Sequence, residues 1–338
     1  MNGATVSLLI ALGLIVLGLL VLLIPLAANN WNFAALDPHK YETNTHTVTE
    51  DFAAISIDTS ISDLAVLPSE DGTCRVVIYE QERLTHTVTV EEGTLTVRET
   101  DDRRWYDHIA GFDHPRITLY LPAESYGALT VSLSTGDVLL SEGFTFASLA
   151  LRGSTGDVIC RADILGDASI RVSTGDVCLE NITAGAVALA GSTGDTVVTG
   201  VTCASLTSTR STGDTRLEGL TVEGAVTLTV STGRTTLANV TAAALDSKGN
   251  TGRITLTDTV LSGAMSITRS TGDVVLTRCD ATELLITTDT GDVEGTLLTE
   301  KIFVARSDTG KIRVPDTVTG GRCKVTTDTG HIRFSIVE

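Results

Sequence analysis

The chain has 338 residues, of which 54 are Thr and 31 Gly, against 14 aromatics. Its 24 Lys and Arg are outnumbered by 42 Asp and Glu, and a net charge of −18 argues against nucleic acid or an anionic lipid surface as partner. With 42% hydrophobic residues recurring at a clear period the chain is not disordered, and so few rings exclude a large Trp- or Phe-centred core.

Residues 1–5 form a short tail. From Val6 to Ala28 the sequence carries no charge. Its 23 residues would make a helix of roughly 35 Å, enough to cross a hydrocarbon core of about 30 Å. A cleaved signal peptide would have a shorter apolar run behind a basic start and a small-x-small site. Here no Lys or Arg precedes the run, and Leu26-Ala27-Ala28 places a bulky residue where a small one is needed. The segment therefore reads as an uncleaved single-pass anchor at the cell membrane. Only the N-terminal amine and Lys40 bear on orientation, and the bulk of the chain is expected on the extracytoplasmic side.

After a linker over residues 29–44, residues 45–130 read as a degenerate first coil and a β cap. The coil is marked by Ile55, Ile57 and Ser62-Asp63-Leu64. Longer alternating strands follow at Val76 to Tyr79, Thr87 to Glu91, Thr94 to Val97 and Ile117 to Leu121, with a hairpin at Glu92-Gly93. Between Arg75 and Leu121 no repeat period holds.

Residues 131–338 are governed by a repeat. Thr-Gly recurs with its glycines at Gly136, Gly156, Gly175, Gly194, Gly213, Gly233, Gly252, Gly272, Gly291, Gly310 and Gly330, every 19 or 20 residues. Such a period marks a solenoid, whose units bury their apolar faces only by stacking. Alternating apolar pairs follow each turn, as in Val138/Leu140 and Val177/Leu179, and a second pair follows some ten residues later, as in Leu149/Leu151. Period-2 alternation excludes helical repeats, and Thr-Gly-Asp is turn chemistry. The expectation is an all-β, single-domain β-solenoid of about eleven coils. Its last coil, ending Phe334-Ser335-Ile336-Val337-Glu338, lacks a cap and is a candidate edge for self-association.

The units Ser134 to Val138, Ser154 to Val158 and Ser270 to Val274, with the leader Trp31-Asn32-Phe33 and Lys40-Tyr41-Glu42-Thr43-Asn44, carry a resemblance. The whole chain resembles the bacterial β-strand-repeat proteins grouped as candidate adhesins, a family of unknown molecular function. The resemblance implies a membrane-anchored, surface-associated solenoid and brings no catalytic residues with it.

Two sets of residues are candidate sites. The first is the column Asp137, Asp157, Asp176, Asp195 and Asp214, with Asp273 and Asp292 further on. Stacked carboxylates repel, so either a cation such as calcium lies between them or each accepts turn N–H groups. The structural alternative is preferred: one carboxylate per coil is thin for calcium, and Arg234, Arg253, Lys311 and His331 take the same position in four coils. The second set is the cap loop with Trp105, Tyr106, Asp107, His108, Asp113 and His114, whose rings suit sugar stacking and whose Asp and His residues could ligate a metal. Against that stands a loop pinned by its aromatics.

The six cysteines (Cys74, Cys160, Cys178, Cys203, Cys279, Cys323) fall at unlike register positions, which argues against disulfides, and no Cys-x-x-Cys is present. Cys160 should point inward and Cys178 outward. No cofactor is expected. The uniform spacing leaves no room for catalytic loops, so a non-enzymatic protein is expected. The leading reading is a surface-displayed interaction, adhesin-like or scaffold module meeting an envelope polymer. The alternative is a membrane-tethered sensory or regulatory domain binding a partner membrane protein.

Overall fold

Each Thr-Gly-Asp unit makes a corner at which one coil rests on the next. Gly156 takes a φ of 137°, and a Cβ there would collide with the carbonyl of Gly136 in the adjoining coil, so conformation and space both require glycine. Its N–H donates to Thr174 O at 3.0 Å on the other side, and the Val158 N–H donates to Asp176 O at 2.8 Å. The computed structural model describes residues 3–28, 30–31, 40–104 and 114–337.

The chain forms a β-solenoid preceded by one helix, α1 (Gly3–Ala28). Within α1, Leu9–Ala28 is long and apolar enough to cross a membrane. The N-terminal end of the solenoid uses β1 (Tyr41–Val48), β2 (Ala54–Thr59), β3 (Asp63–Pro68), β4 (Cys74–Gln81), β5 (Leu84–Glu91), β6 (Thr94–Asp101), β7 (Arg116–Leu121), β8 (Ser125–Leu133) and β9 (Val138–Leu140). β1 begins within the segment that the sequence leaves as linker. Glu92 (φ 49°) and Gly93 (φ 73°) join β5 to β6 through the left-handed turn expected of a tight hairpin.

Two ladders of parallel strands run along the rod. In the shorter-stranded one, β3 pairs with β9, then Val158–Cys160, Val177–Glu180 and onward, stacking Val138, Val158 and Val177 in register. In the longer-stranded one, β2 pairs with β8, then Thr145–Thr155, stacking Leu129 on Leu149 and Ala168. The inward side chains merge into one continuous core, at about 1.5–3 kcal/mol for each fully buried Val or Leu. Count excludes a large aromatic core, but Tyr126, Phe144 and Phe146 cluster in the first coils with ring centres 5.9–6.5 Å apart.

The interior is not wholly apolar. Arg210 and Arg269 are buried, each beside a strand that presents glycine, Gly191 and Gly249, at the facing position. A Cβ at Gly191 would occupy the space taken by the Arg210 guanidinium. Arg210 Nε donates to Thr196 Oγ1 at 2.9 Å, and Arg269 donates to Ser247 Oγ at 3.0 Å and Thr268 O at 2.8 Å. Burial pulls Arg269 down to about 10. Inward Thr196, Thr215, Thr235, Ser208 and Ser247 replace apolar residues around these guanidinium groups.

At both ends the stacking departs from chain order. The first coil, β2 and β3, lies between β8/β9 on one side and β6/β7 on the other. Beyond it β4, β5 and β1 continue the cap with antiparallel pairs. At the other end, Gly321–Thr329 and Ile332–Ile336 insert between the coil of Glu283–Leu297 and the coil of Lys301–Arg313. This corrects the expectation that the C-terminal coil is the open edge. The edge belongs to Lys301–Thr309 and Ile312–Arg313, and the C-terminal coil is paired on both sides. The physical reason is Phe334. It fits over Gly295, where any Cβ would meet the ring, and packs on Phe303 at 5.5 Å. Gly320 and Gly321 let the chain cross back against the carbonyls of Glu300 and Thr282.

Candidate functional site

The predicted carboxylate column exists, and its members bind one another's backbones. Asp137 Oδ1 accepts the Asp157 N–H at 2.8 Å, Asp157 accepts that of Asp176 at 2.8 Å, and Asp176 that of Asp195 at 2.7 Å. Asp195 and Asp214 continue to the N–H groups of Asp214 and Arg234, both at 2.7 Å. Asp63, overlooked in sequence because no Thr-Gly precedes it, starts the column by accepting the Asp137 N–H at 2.9 Å. A hydrogen bond to a charged group is worth about 1.5–3 kcal/mol, against roughly 1 kcal/mol of repulsion between such neighbours in water. The bonds win, and the column ties coil to coil. Arg253 donates to Asp273 Oδ2 at 2.6 Å and holds that carboxyl below its ordinary range. Among the described residues no cluster of three or more His, Cys, Asp or Glu side chains is placed to hold a metal.

The column changes sign at the free end. Asp292 Oδ1 accepts the His331 N–H at 2.7 Å, and His331 Nδ1 accepts the Lys311 N–H at 2.9 Å. His331 thus does through a ring nitrogen what aspartate does elsewhere. Two positions along the strand, Arg313 faces Arg333 in register. Lys311, Arg313, His331 and Arg333 line a concavity of about 220 Å³.

Beside the carboxylates, outward-facing Ala65, Leu139, Ile159, Cys178 and Val197 align over five successive coils. All five are half-buried and form an apolar stripe along the rod. At its start a surface cavity of about 320 Å³ is lined by Asp63, Ala65, Leu139 and Ile159. Cys160 points inward and Cys178 outward, and all six thiols are free. Burial pushes Cys74, Cys160, Cys178 and Cys203 up to about 11 and Cys323 to about 12, which makes them poor nucleophiles.

Of the predicted cap-loop residues, Trp105, Tyr106, Asp107, His108 and Asp113 lie outside the described residues. His114 is exposed just before β7. Sequence reasoning missed a different histidine. His86, on the inward phase of β5, places Nδ1 2.9 Å from Glu80 Oε2 and Nε2 3.3 Å from Ser62 Oγ. Glu99 Oε2 is 3.7 Å from His86 Nε2 and accepts the Thr59 hydroxyl and the Ser60 N–H. Burial alone would raise Glu99, but these bonds outweigh it and lower its pKa. The order of groups is that of a nucleophile, base and acid, yet Ser62 and the His86 side chain are 0% exposed. The network pins the turn between β2 and β3 to the cap strands. The only sequence signal was a polar residue on an apolar phase.

The Toastrack DUF4097 family model matches residues 52–282, spanning the first coil, the cap and most of the repeats. The chain belongs to this family. The chain is also similar, at low identity, to several solved structures. A candidate adhesin from Bacteroides fragilis NCTC 9343 is 16% identical, with 88% of this chain and 97% of that one covered and a TM-score of 0.34. A candidate lipid-binding protein from Parabacteroides distasonis ATCC 8503 is 12% identical over 88% and 98%, with a TM-score of 0.38. A candidate cell adhesion protein from Clostridium sporogenes ATCC 15579 is 7% identical over 88% and 100%, with a TM-score of 0.22. No curated protein matches the sequence.

Proposed function

We propose that this Toastrack protein is a non-catalytic interaction module, anchored by α1 and displayed on the extracytoplasmic side of the cell membrane. The observation that supports it is the apolar stripe of Ala65, Leu139, Ile159, Cys178 and Val197. Exposed positions of a soluble rod would ordinarily be polar, and an aligned row of half-buried aliphatic groups on a rigid sheet gives a partner apolar area at little ordering cost. The hydrogen-bonded aspartate column keeps the stripe straight by tying each coil to the next.

The test has two parts. Protease added to intact cells should remove a C-terminal tag, and protection of the tag until lysis would refute display. A photo-crosslinking residue at Ile159 should then capture an envelope component, while one at the outward Thr257 should not. Equal capture at both positions, or none, would refute the stripe as the contact.

A further inference from the structure

The acidic total conceals a reversal of charge along the rod. Residues 301–338 carry 7 Lys and Arg against 4 Asp and Glu, a net +3, whereas residues 1–300 carry 17 against 38, a net −21. Because the C-terminal coil is intercalated, these cations concentrate in the last two layers of the stack. On the outer face of the shorter-stranded ladder, Lys311 and His331 occupy one column and Arg313 and Arg333 the next. Strand spacing and rise place the four at the corners of a rectangle of about 5 by 7 Å.

The rectangle is under-neutralised. Arg333 reaches Glu294 at 3.2 Å, while Lys311 and Arg313 make no ion pair among the described residues. Elsewhere on this face Arg161 pairs with Glu180, Arg216 with Glu218 and Arg253 with Asp273, and Arg234, unpaired among the described residues, stands alone rather than in a group of four. The Lys311 N–H requires His331 Nδ1 as acceptor, so the neutral ring carries its proton on Nε2, away from that bond. The four side chains thus offer only donors around one concavity.

We propose that this end of the rod binds the phosphodiester groups of an anionic polymer through Lys311, Arg313, His331 and Arg333. Guanidinium forks suit phosphate oxygens, and Lys adds a point charge. A grid two coils wide accepts a single polymer strand. A flat anionic surface would extend past the four cations, and the −21 of the remaining rod would repel it. The proposal deepens the interaction-module reading by naming a ligand class, and it uses a surface separate from the apolar stripe.

The test uses the full chain in phosphatidylcholine nanodiscs, titrated calorimetrically with synthetic poly(glycerol phosphate) at about 50 mM salt. Binding should weaken steeply as salt is raised, by counterion release. The double variant Lys311→Gln/Arg313→Gln should lose at least tenfold in affinity with an unchanged melting temperature. Arg216→Gln, on the same face in mid-rod, should bind like the parent. No binding by the parent, or equal binding by the double variant, would overturn the site. Tighter binding to phosphatidylglycerol vesicles than to the polymer would overturn the polymer assignment. Crosslinking at Ile159 that persists in the double variant would leave the module reading standing while the phosphate site alone is judged.

Discussion

At its N-terminal end the rod is closed by antiparallel strands β1, β4 and β5 over a buried His86–Glu80–Glu99 network. Residues 40–104 there carry 14 Asp and Glu against 6 Lys and Arg. Among the described residues no antiparallel strand covers the C-terminal end. It is finished by a coil taken out of chain order, its edge strand beginning with the inward Lys301 paired to Asp280 at 2.7 Å. Both devices deal with the exposed edge of a stacked sheet, the first by covering it and the second by placing a charge inward at the edge. The covered end is stabilised by hydrogen bonds among buried polar groups. The open end leaves cations free for a ligand.

The largest disruption of this contrast should come from deleting residues 321–338. Their coil separates Lys301–Arg313 from Glu283–Leu297, so hydrogen exchange should show protection lost across residues 301–313 as well. Retained protection there would mean that the coils can stack in chain order, and the role given to Phe334 would be wrong. The covered end should be most sensitive to His86→Ala, which empties the space between Glu80, Ser62 and Glu99 and leaves the Ser62 hydroxyl without its partner, and should cost about 2–4 kcal/mol in denaturant unfolding. Gly295→Ala, which pushes against Phe334, should cost about 1–3 kcal/mol, with exchange quickened only in the last two layers.

Acid should separate the ends without mutation. Glu99 has a depressed pKa when folded, so its contribution is present above the unfolded carboxylate range of about 4 and is lost as pH falls through the lower folded value. As pH falls below about 4 the cap strands should lose exchange protection ahead of the C-terminal layers, and Glu99→Gln should abolish that difference. A uniform loss would refute the network's role. The smallest effect is expected from Arg253→Ala on the exposed face, within about 1 kcal/mol by thermal melting.

Corner, coil and apolar helix were legible because each is a local or periodic property. Thr-Gly every 19 or 20 residues needs a turn, alternation needs a strand, and 23 uncharged residues need an apolar surrounding. The aspartate column was legible as a column, but the acceptors' targets were not, since they lie one coil away. His86 was passed over because its partners, Glu80, Ser62 and Glu99, meet only when β3, β4, β5 and β6 are packed together. Arg210 and Arg269 were not singled out in sequence because the glycines that make room for them, Gly191 and Gly249, lie one coil away. Trp105 to Asp113, the other set singled out in sequence, lie outside the described residues.

Sequence by itself determined that this chain makes an apolar leader helix and a β-solenoid, because a repeat can bury its apolar face in no other way than by stacking on its copies. Tertiary structure alone decided the order in which the end coils stack. The repeat coils carry Thr-Gly at nearly the same spacing and could pair with one another, so the choice falls to single fits such as Phe334 over Gly295. That choice gathers Lys311, Arg313, His331 and Arg333 on the last two layers of an otherwise acidic rod.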